Sequence, residues 1–400
     1  MPETIEQTRQ SVALVTPGCS RRIAVTHVIT SLATGGAETM LYKLLSATDH
    51  SRFRSSVITL ADEGVLADKI RNLGVPVHAL ELHPRRAFSA VWQLLRALRR
   101  RRPDIVQTWM YHSDLLGGIA ALALPGVPVV WNIRCGRLDR AIDKRSTIWV
   151  GRACAIASHA LPARIVCCSH ACLENHTAER YARAKMQVVH NGFDTGCFQP
   201  APHFRRLIRQ QMGIAPEALL VGLVARFDGA KDHSTFCEAA RLVNRVRPDV
   251  HFLLCGEGIT HRNPRLATYL TRLESPLSVH LLGRRDDIPR IMAALDIAVS
   301  SSVIEGFSNA IGEAMSSAIP CVATDTGDSR LLIGETGCVV PVRDPVALAN
   351  TILQLIDLGA DGRDRLGAQA RRRIIEHFSL AACARRYEQI YQELMPACAA

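Results

Sequence analysis

The stretch Asn191-Gly-Phe-Asp-Thr-Gly-Cys-Phe-Gln-Pro-Ala-Pro202 decides the architecture. Two glycines and two prolines within a dozen residues mark a turn-rich connection. Before it, short β-branched runs alternate with helical patterns: Ile23–Ile29, Val57–Leu60, Val75–Leu80, Ile105–Trp109, Val127–Ile133, Ile165–Cys168 and Gln187–Val189 read as strands. After it a second cycle begins, with strands at Leu219–Ala225, His251–Cys255, Val279–Leu282, Ile297–Ser301, Cys321–Thr324 and Cys338–Val342, and helical sequence from Pro345 to the end. Such alternation is that of a parallel sheet covered by helices on both faces. The expected fold is α/β, with two doubly wound, Rossmann-like domains in tandem across a cleft and ligands at the carboxyl ends of the strands. A chain of 400 residues also exceeds what one core sustains, roughly 250–300 residues. The expected divisions are a flexible segment 1–22, domains 23–193 and 194–380, and a C-terminal helix 381–400 packing back toward the first domain.

With 48% hydrophobic and 21% charged residues, the chain is neither disordered nor fibrous. Its thirteen cysteines include no Cys-x-x-Cys pair. Cys167, Cys168 and Cys172 read as small buried hydrophobes rather than metal ligands, which usually come in spaced pairs. So many free thiols suit a reducing cytoplasm. The polar residues 1–22 carry no signal-peptide pattern. The apolar run Leu115–Trp131 is interrupted by Pro125, Gly126 and Pro128, so it reads as helix, turn and strand rather than a span of ~20 residues. Residues 1–200 hold 25 Lys+Arg against 15 Asp+Glu, whereas the remainder is almost neutral. The basic excess peaks at Arg96–Arg102, ending a helical pattern in which Trp92, Leu95 and Leu98 fall near one face. Such a helix suits either an anionic membrane surface or a solvated helix end. Low aromatic content and the absence of a recognition motif argue against nucleic acid.

Four motifs carry candidate chemistry. Ser31-Leu-Ala-Thr-Gly35-Gly36-Ala-Glu38 follows the first strand and opens a helix, where backbone amides can approach an anion; a simple glycine turn is the plainer alternative. Gly222-Leu-Val-Ala-Arg226-Phe-Asp-Gly-Ala-Lys231 puts two cations after a strand, suited to a pyrophosphate though also to a solvated loop. In Ser300-Ser-Ser-Val-Ile-Glu305-Gly306-Phe307-Ser308-Asn309-Ala-Ile-Gly-Glu313, Glu305 ends a buried strand, the next residues open a helix whose amides can hold phosphate, and Glu313 can take two vicinal hydroxyls. His112, in Gln107-Thr-Trp-Met-Tyr-His112-Ser-Asp114, follows another strand at the cleft edge. There is no Asp-x-Asp metal pair, no Gly-x-Ser-x-Gly elbow and no zinc spacing.

In their order and spacing these motifs resemble the family 4 retaining glycosyltransferases of the GT-B fold, over nearly the whole chain. Glu305, seven residues and Glu313 form the most specific part, followed by the Arg226–Lys231 pair. Gly-Gly-Ala-Glu at 35–38 and Asn191-Gly-Phe-Asp194 give support. The resemblance implies an acceptor-binding first domain and a nucleotide-sugar-binding second domain. It implies that Arg226 and Lys231 bind the donor diphosphate, that Glu313 holds the ribose, and that Glu305 contacts the transferred sugar. Ser308 and Asn309 would offer amides, beside Gly306 and Phe307. Gly35 and Gly36 would face the diphosphate from the first domain, and His112 the sugar near the reacting carbon. Gly256 and Arg284 would line the base.

The implied reaction moves a hexosyl group, with retention, from a nucleotide-diphosphate sugar to a saccharide acceptor, in polysaccharide or glycan biosynthesis. UDP is favoured by family frequency alone. No cofactor or metal is implied, and no protein base, so Asp114 is not nominated as one. A lipid-linked acceptor at the cytoplasmic membrane face would suit the basic first half. The sequence departs from the family at Asp328-Ser329-Arg330, where a second Gly and then a Glu often follow Asp-x-Gly; that loop is expected near the donor sugar. A nucleotide-sugar 2-epimerase of this architecture and a non-catalytic nucleotide-sugar-binding scaffold stay open as alternatives.

Overall fold

A computed structural model describes residues 21–33, 35–82, 87–271 and 278–395. Of the N-terminal segment 1–22, all but Arg21 and Arg22 lie outside the described residues, as do residues 396–400 of the C-terminal stretch. Every strand expected from the sequence is present, in two wholly parallel sheets. The first comprises β1 (Ile23–Ile29), β2 (Phe53–Thr59), β3 (Val77–Ala79), β4 (Ile105–Trp109), β5 (Val129–Ile133), β6 (Arg164–Cys167) and β7 (Met186–Val188), in the order β3-β2-β1-β4-β5-β6-β7. The second comprises β8 (Leu220–Val224), β9 (His251–Cys255), β10 (Val279–Leu281), β11 (Ile297–Ser300), β12 (Cys321–Thr324) and β13 (Cys338–Val340), in the order β10-β9-β8-β11-β12-β13. β2 begins earlier than its apolar run suggested. Ser55 and Ser56 are buried, and Ser56 Oγ meets Thr26 Oγ1 of β1 at 3.0 Å, so polar residues extend the strand with a hydrogen bond satisfied.

β1, β4, β5, β8 and β9 are buried almost end to end, the pattern of strands covered on both faces. The apolar run expected as helix, turn and strand is the helix Tyr111–Ala121, a turn and β5. Cys167, Cys168 and Cys172 are buried in the core, and every described cysteine is free.

The chain passes between the sheets twice. After β7 it runs through Asn191 and Phe193; after the helix Gly359–His377 it returns through Phe378, and the two crossings are bonded (Phe193 N to Phe378 O and Leu380 N to Phe193 O, both 2.9 Å). The closing helix Leu380–Leu394 lies on the first sheet's side, burying Tyr387 and Tyr391 beside Met40, Leu44, Phe53 and Trp109. Tyr391 donates to Gln107 of β4 and Tyr387 to Asn132 of β5.

One sequence expectation needs correction. In the helix Ala87–Arg101 the core stripe is Leu94, Ala97 and Leu98; Trp92 is 57% exposed with Arg96 over its ring. At 100° per residue Leu98 falls over Leu94, on the side away from Trp92, so it does not share that residue's outward face.

Candidate active site

In both sheets the strand order reverses beside the strand that begins the unit: β1 meets β4, and β8 meets β11. Loops leaving such neighbours run in opposite directions and open a crevice at their carboxyl ends. The first crevice is bordered by the loop after β1, with Gly35 and Gly36, and by the helix that starts just after β4, with His112 in its first turn. The second is bordered by Arg226–Lys231 after β8 and Ser301–Asn309 after β11. The four sequence motifs thus fall at the two switch points.

On the second sheet the backbone fixes the charges. Asp228 accepts from the Ala230 amide at 2.9 Å and Asp232 adopts a left-handed turn, φ 43°, that ends the Lys231 loop and caps the next helix. Ser301 Oγ donates to the carbonyls of Lys231 (2.9 Å) and Asp232 (3.0 Å), while the Val303 amide donates to the Ala230 carbonyl (2.8 Å). The two loops are laced together, and Lys231 Nζ thereby meets Glu305 Oε1, which also accepts from Ser302 Oγ at 3.0 Å. Arg226 is half exposed, held loosely by Asp228 at 3.3 Å, so its guanidinium is available to a ligand. Ser308 caps the helix Asn309–Ser316 through Ile311 N, leaving the first-turn amides outside the helix ladder.

The first domain presents mostly backbone. Gly36 opens the helix Gly36–Ala47, and a Cβ on it would stand 3.7 Å from the Asn309 side-chain amide, so two helix N-termini converge. Glu38 folds back over Gly35; burial raises its carboxyl's pKa, against which its own backbone and Arg226 across the cleft act. Met110, next to Tyr111 and His112, holds φ 69° and ψ 161°, a strained conformation for a side-chain-bearing residue. His112 is partly buried, has no hydrogen-bond partner among the described residues, and burial keeps its pKa low, so the ring is neutral. Asp114 is fully buried, takes a 2.5 Å hydrogen bond from Thr108 Oγ1, and burial pushes its pKa up to about 7.

Contacts across the cleft join the halves at four places. Gly136 packs on the Glu305 carbonyl, where any side chain would collide, and a Cβ on Gly306 would meet Cys168 Sγ at 2.5 Å. Arg134, partly buried, reaches Asn132, the Val189 carbonyl, Tyr387 and Asn191, and Asn191 donates to Asn309 Oδ1 (2.9 Å) and the Phe307 carbonyl (3.0 Å). Lys43 Nζ pairs with Glu313 Oε1 at 2.7 Å. Asp328 accepts from the amides of His170 (2.7 Å) and Ala171 (3.0 Å), which begin a first-domain helix, and meets His190 Nε2 at 3.2 Å. Burial raises the Asp328 pKa, but these donors outweigh it and hold the carboxyl below its ordinary range. His170, His190 and Asp328 place ligand-type atoms within 4.8 Å of one another, yet both carboxylate oxygens already take amides.

The structure pairs Lys231 with Glu305, sets Gly36 against Asn309, and brings Arg226 to bear on Glu38 across the cleft. The Phe307 side chain does not join them: it is buried against the rings of His190, Phe193 and Phe378, leaving only its main chain for a donor. The Asp328 side chain is taken up by the start of the His170 helix. Gly256 lies against Ala225 and Arg226 and bonds to Gly283, and Arg284 is 43% exposed beside Asp286. Sequence reasoning missed Lys43 and Arg134. A lysine among the apolar residues Met40, Leu41, Leu44 and Leu45, and an arginine closing a buried strand, were the available signals.

Two parallel switch-point sheets with a cationic, glutamate-bearing crevice define the GT-B class of glycosyltransferases. Residues 34–196 match the family model described as Glycosyltransferase Family 4, and residues 218–358 that of Glycosyl transferases group 1. The chain belongs to glycosyltransferase family 4. It is 26% identical over 335 residues to the Escherichia coli UDP-Gal:alpha-D-GlcNAc-diphosphoundecaprenol alpha-1,3-galactosyltransferase, covering 82% of this chain and 86% of that one. It is 25% identical to the Bacillus subtilis putative glycosyltransferase EpsF, covering 85% and 89%. In fold it is similar to Anabaena HepE in complex with UDP-glucose, with a TM-score of 0.82, 22% identity, and coverage of 93% of this chain and 100% of that one.

Proposed function

We propose that this glycosyltransferase moves a hexosyl group from a UDP-sugar to a lipid-linked saccharide acceptor, with retention, without a metal, in polysaccharide or glycan biosynthesis. The observation that carries the reading is the Lys231–Glu305 pair, held between the β8 and β11 loops beside the Asn309 helix start. When the bond from the anomeric carbon to the diphosphate breaks, its electrons collect on the phosphate oxygen. Lys231, Arg226 and the first-turn amides stabilise that charge in place. Glu305, released to the sugar's hydroxyls, steadies the ring, while Glu313 takes the ribose. The acceptor oxygen attacks from the face the phosphate leaves, and that phosphate oxygen takes its proton, so no protein base is required. Neutral His112 faces the sugar without adding charge. The donor nucleotide and the lipid-linked acceptor follow the likeness to the Escherichia coli enzyme.

The outer surface of three adjacent first-domain helices supports a membrane-bound acceptor. It exposes Trp92, Leu122, Trp149 and Ile156, with Arg96 and Arg152 over the two indoles. Among the described residues no helix is long and apolar enough to cross a membrane, so contact would be peripheral. Replacing Arg99–Arg102 with glutamine should weaken binding to anionic vesicles; unchanged binding removes the membrane contact from this account.

The reaction is tested by incubating the protein with UDP-hexoses and a prenyl-diphosphate-linked N-acetylhexosamine, followed by NMR of the product. An α-linked disaccharide from an α-linked donor is expected. A β-linked product contradicts retention, and epimerised UDP-sugar without transfer favours the epimerase reading.

A further inference from the structure

Lys43 has no counterpart among the motifs of the donor site, yet it is built into that site from the other domain. It lies on the helix Gly36–Ala47, seven residues past the glycine at its start, and is buried to 7% exposure. A buried ammonium is retained only where it is paired. Its partner is Glu313, 2.7 Å away on the second-domain helix Asn309–Ser316. Nζ also lies 5.6 Å from the ring centre of Phe193 and 5.7 Å from that of Phe198, both on the segment that crosses between the sheets. The Phe193 ring in turn sits where a side chain on Gly312 would be, so the residue before Glu313 must be glycine. Lys43, Phe193, Gly312 and Glu313 therefore form one packed unit.

This unit fixes the carboxylate. Glu313 Oε1 takes the ammonium, while Oε2 has no hydrogen-bond partner among the described residues. An ion pair on one side leaves the remaining lone pairs oriented and acceptor-only, the state in which a carboxylate takes two vicinal hydroxyls. Without the ammonium the side chain would lose its anchor and its neighbour's charge.

We propose that Lys43 is a positioning residue for the donor nucleotide: acting through Glu313, it makes ribose recognition depend on the first domain being docked against the second. The inference rests on the reading of Glu313 as the ribose-binding carboxylate. It gives the first domain a share in ribose recognition through a residue that does not touch the ligand.

The test compares UDP with 2′,3′-dideoxy-UDP by calorimetry on the full chain, for the wild type, K43M, K43R and E313Q, with melting temperatures recorded in parallel. Hydrogen bonds to a charged acceptor should make the wild type favour UDP by about ten- to hundredfold. K43M should lose most of that preference by weakening UDP alone, K43R should keep it, and E313Q should lose it. General misfolding would weaken both ligands together, so the preference ratio separates the two effects. If K43M fails to fold, K43R decides: an arginine that keeps the pair keeps the ratio, and a collapsed ratio in a well-folded K43R overturns the proposal. A wild type that discriminates while K43M discriminates equally well overturns the role of Lys43 and leaves the ribose site standing. K43M binding UDP more tightly than the wild type overturns it too, since the pair would then compete with the ribose. A wild type blind to the hydroxyls, or unable to bind UDP, overturns the ribose reading and this inference with it.

Discussion

The two lips of the cleft are built in different ways. The second-domain lip works through charged side chains, Arg226, Lys231, Glu305 and Glu313, with the pair at its centre laced in place by Ser301 and Ser302. The first-domain lip works mostly through backbone, with Gly35 and Gly36 at a helix start, Gly136 against the Glu305 carbonyl and the strained Met110; its side chains are the neutral ring of His112, Glu38 folded over Gly35, and Lys43, which acts through Glu313. The difference suits the proposed function, in which the second-domain lip holds the donor diphosphate. A diphosphate needs fixed opposing charge, which is worth most where water is excluded. On the proposed reading the other lip faces the acceptor, and its glycines let the two domains approach closely: a Cβ on Gly136 would collide with the Glu305 carbonyl.

The largest expected effect lies on the charged lip. Replacing Lys231 with alanine removes the cation nearest Glu305, and steady-state assays should show kcat lower by about 100- to 1000-fold. A loss of under tenfold would move the charge stabilisation to another residue. On the other lip, His112→Ala should lower kcat by about tenfold, equivalent to one modest transition-state contact, with the melting temperature unchanged. An effect as large as that of Lys231→Ala would erase the contrast between the lips.

The seam comes next. Asp328→Asn would set an amino group against the His170 or Ala171 amide, opposing donor to donor. The melting temperature should fall by about 2–6 °C, the scale of one or two lost hydrogen bonds. The donor KM should rise, because the same loop bonds to Gly306. An unchanged melt would mean that the domains do not rely on this carboxylate.

The smallest effect concerns the buried Asp114. Its folded pKa is raised from 3.8 to about 7, so between those values the folded protein holds a proton that the unfolded chain has released. Stability is then lost as pH rises through that window. Asp114→Asn removes the term, so the melting temperature of the variant relative to the wild type should climb as pH goes from about 4 to 7. A flat difference would mean that the carboxyl is solvated.

The contrast between the lips also explains what the sequence discloses. Each switch-point loop follows a short apolar run, so Arg226, Lys231 and Glu305 can be placed after strand ends from local pattern, and Glu313 in the helix that follows; their roles come from the family resemblance. Asp328 is 158 residues from His170, and Lys43 is 270 from Glu313. Their roles arise only when the domains meet, and no periodicity records that. Asp328 marked itself merely as a departure from the family pattern. Phe307 shows the reverse: its place in the donor motif is a main-chain matter, since its ring belongs to the cluster beneath the helix.

The central claim is that the second-domain lip holds a nucleotide-diphosphate sugar. The most direct measurement is the melting temperature with UDP-, GDP- and ADP-sugars present, repeated for Arg226→Ala and Glu313→Ala. A ligand far above its Kd stabilises a fold by a few kcal/mol, so a true donor gives a plain upward shift. The account predicts that a UDP-sugar raises the wild-type melt and that both variants lose the response. No shift with any nucleotide-sugar, or an equal shift in both variants, would contradict it.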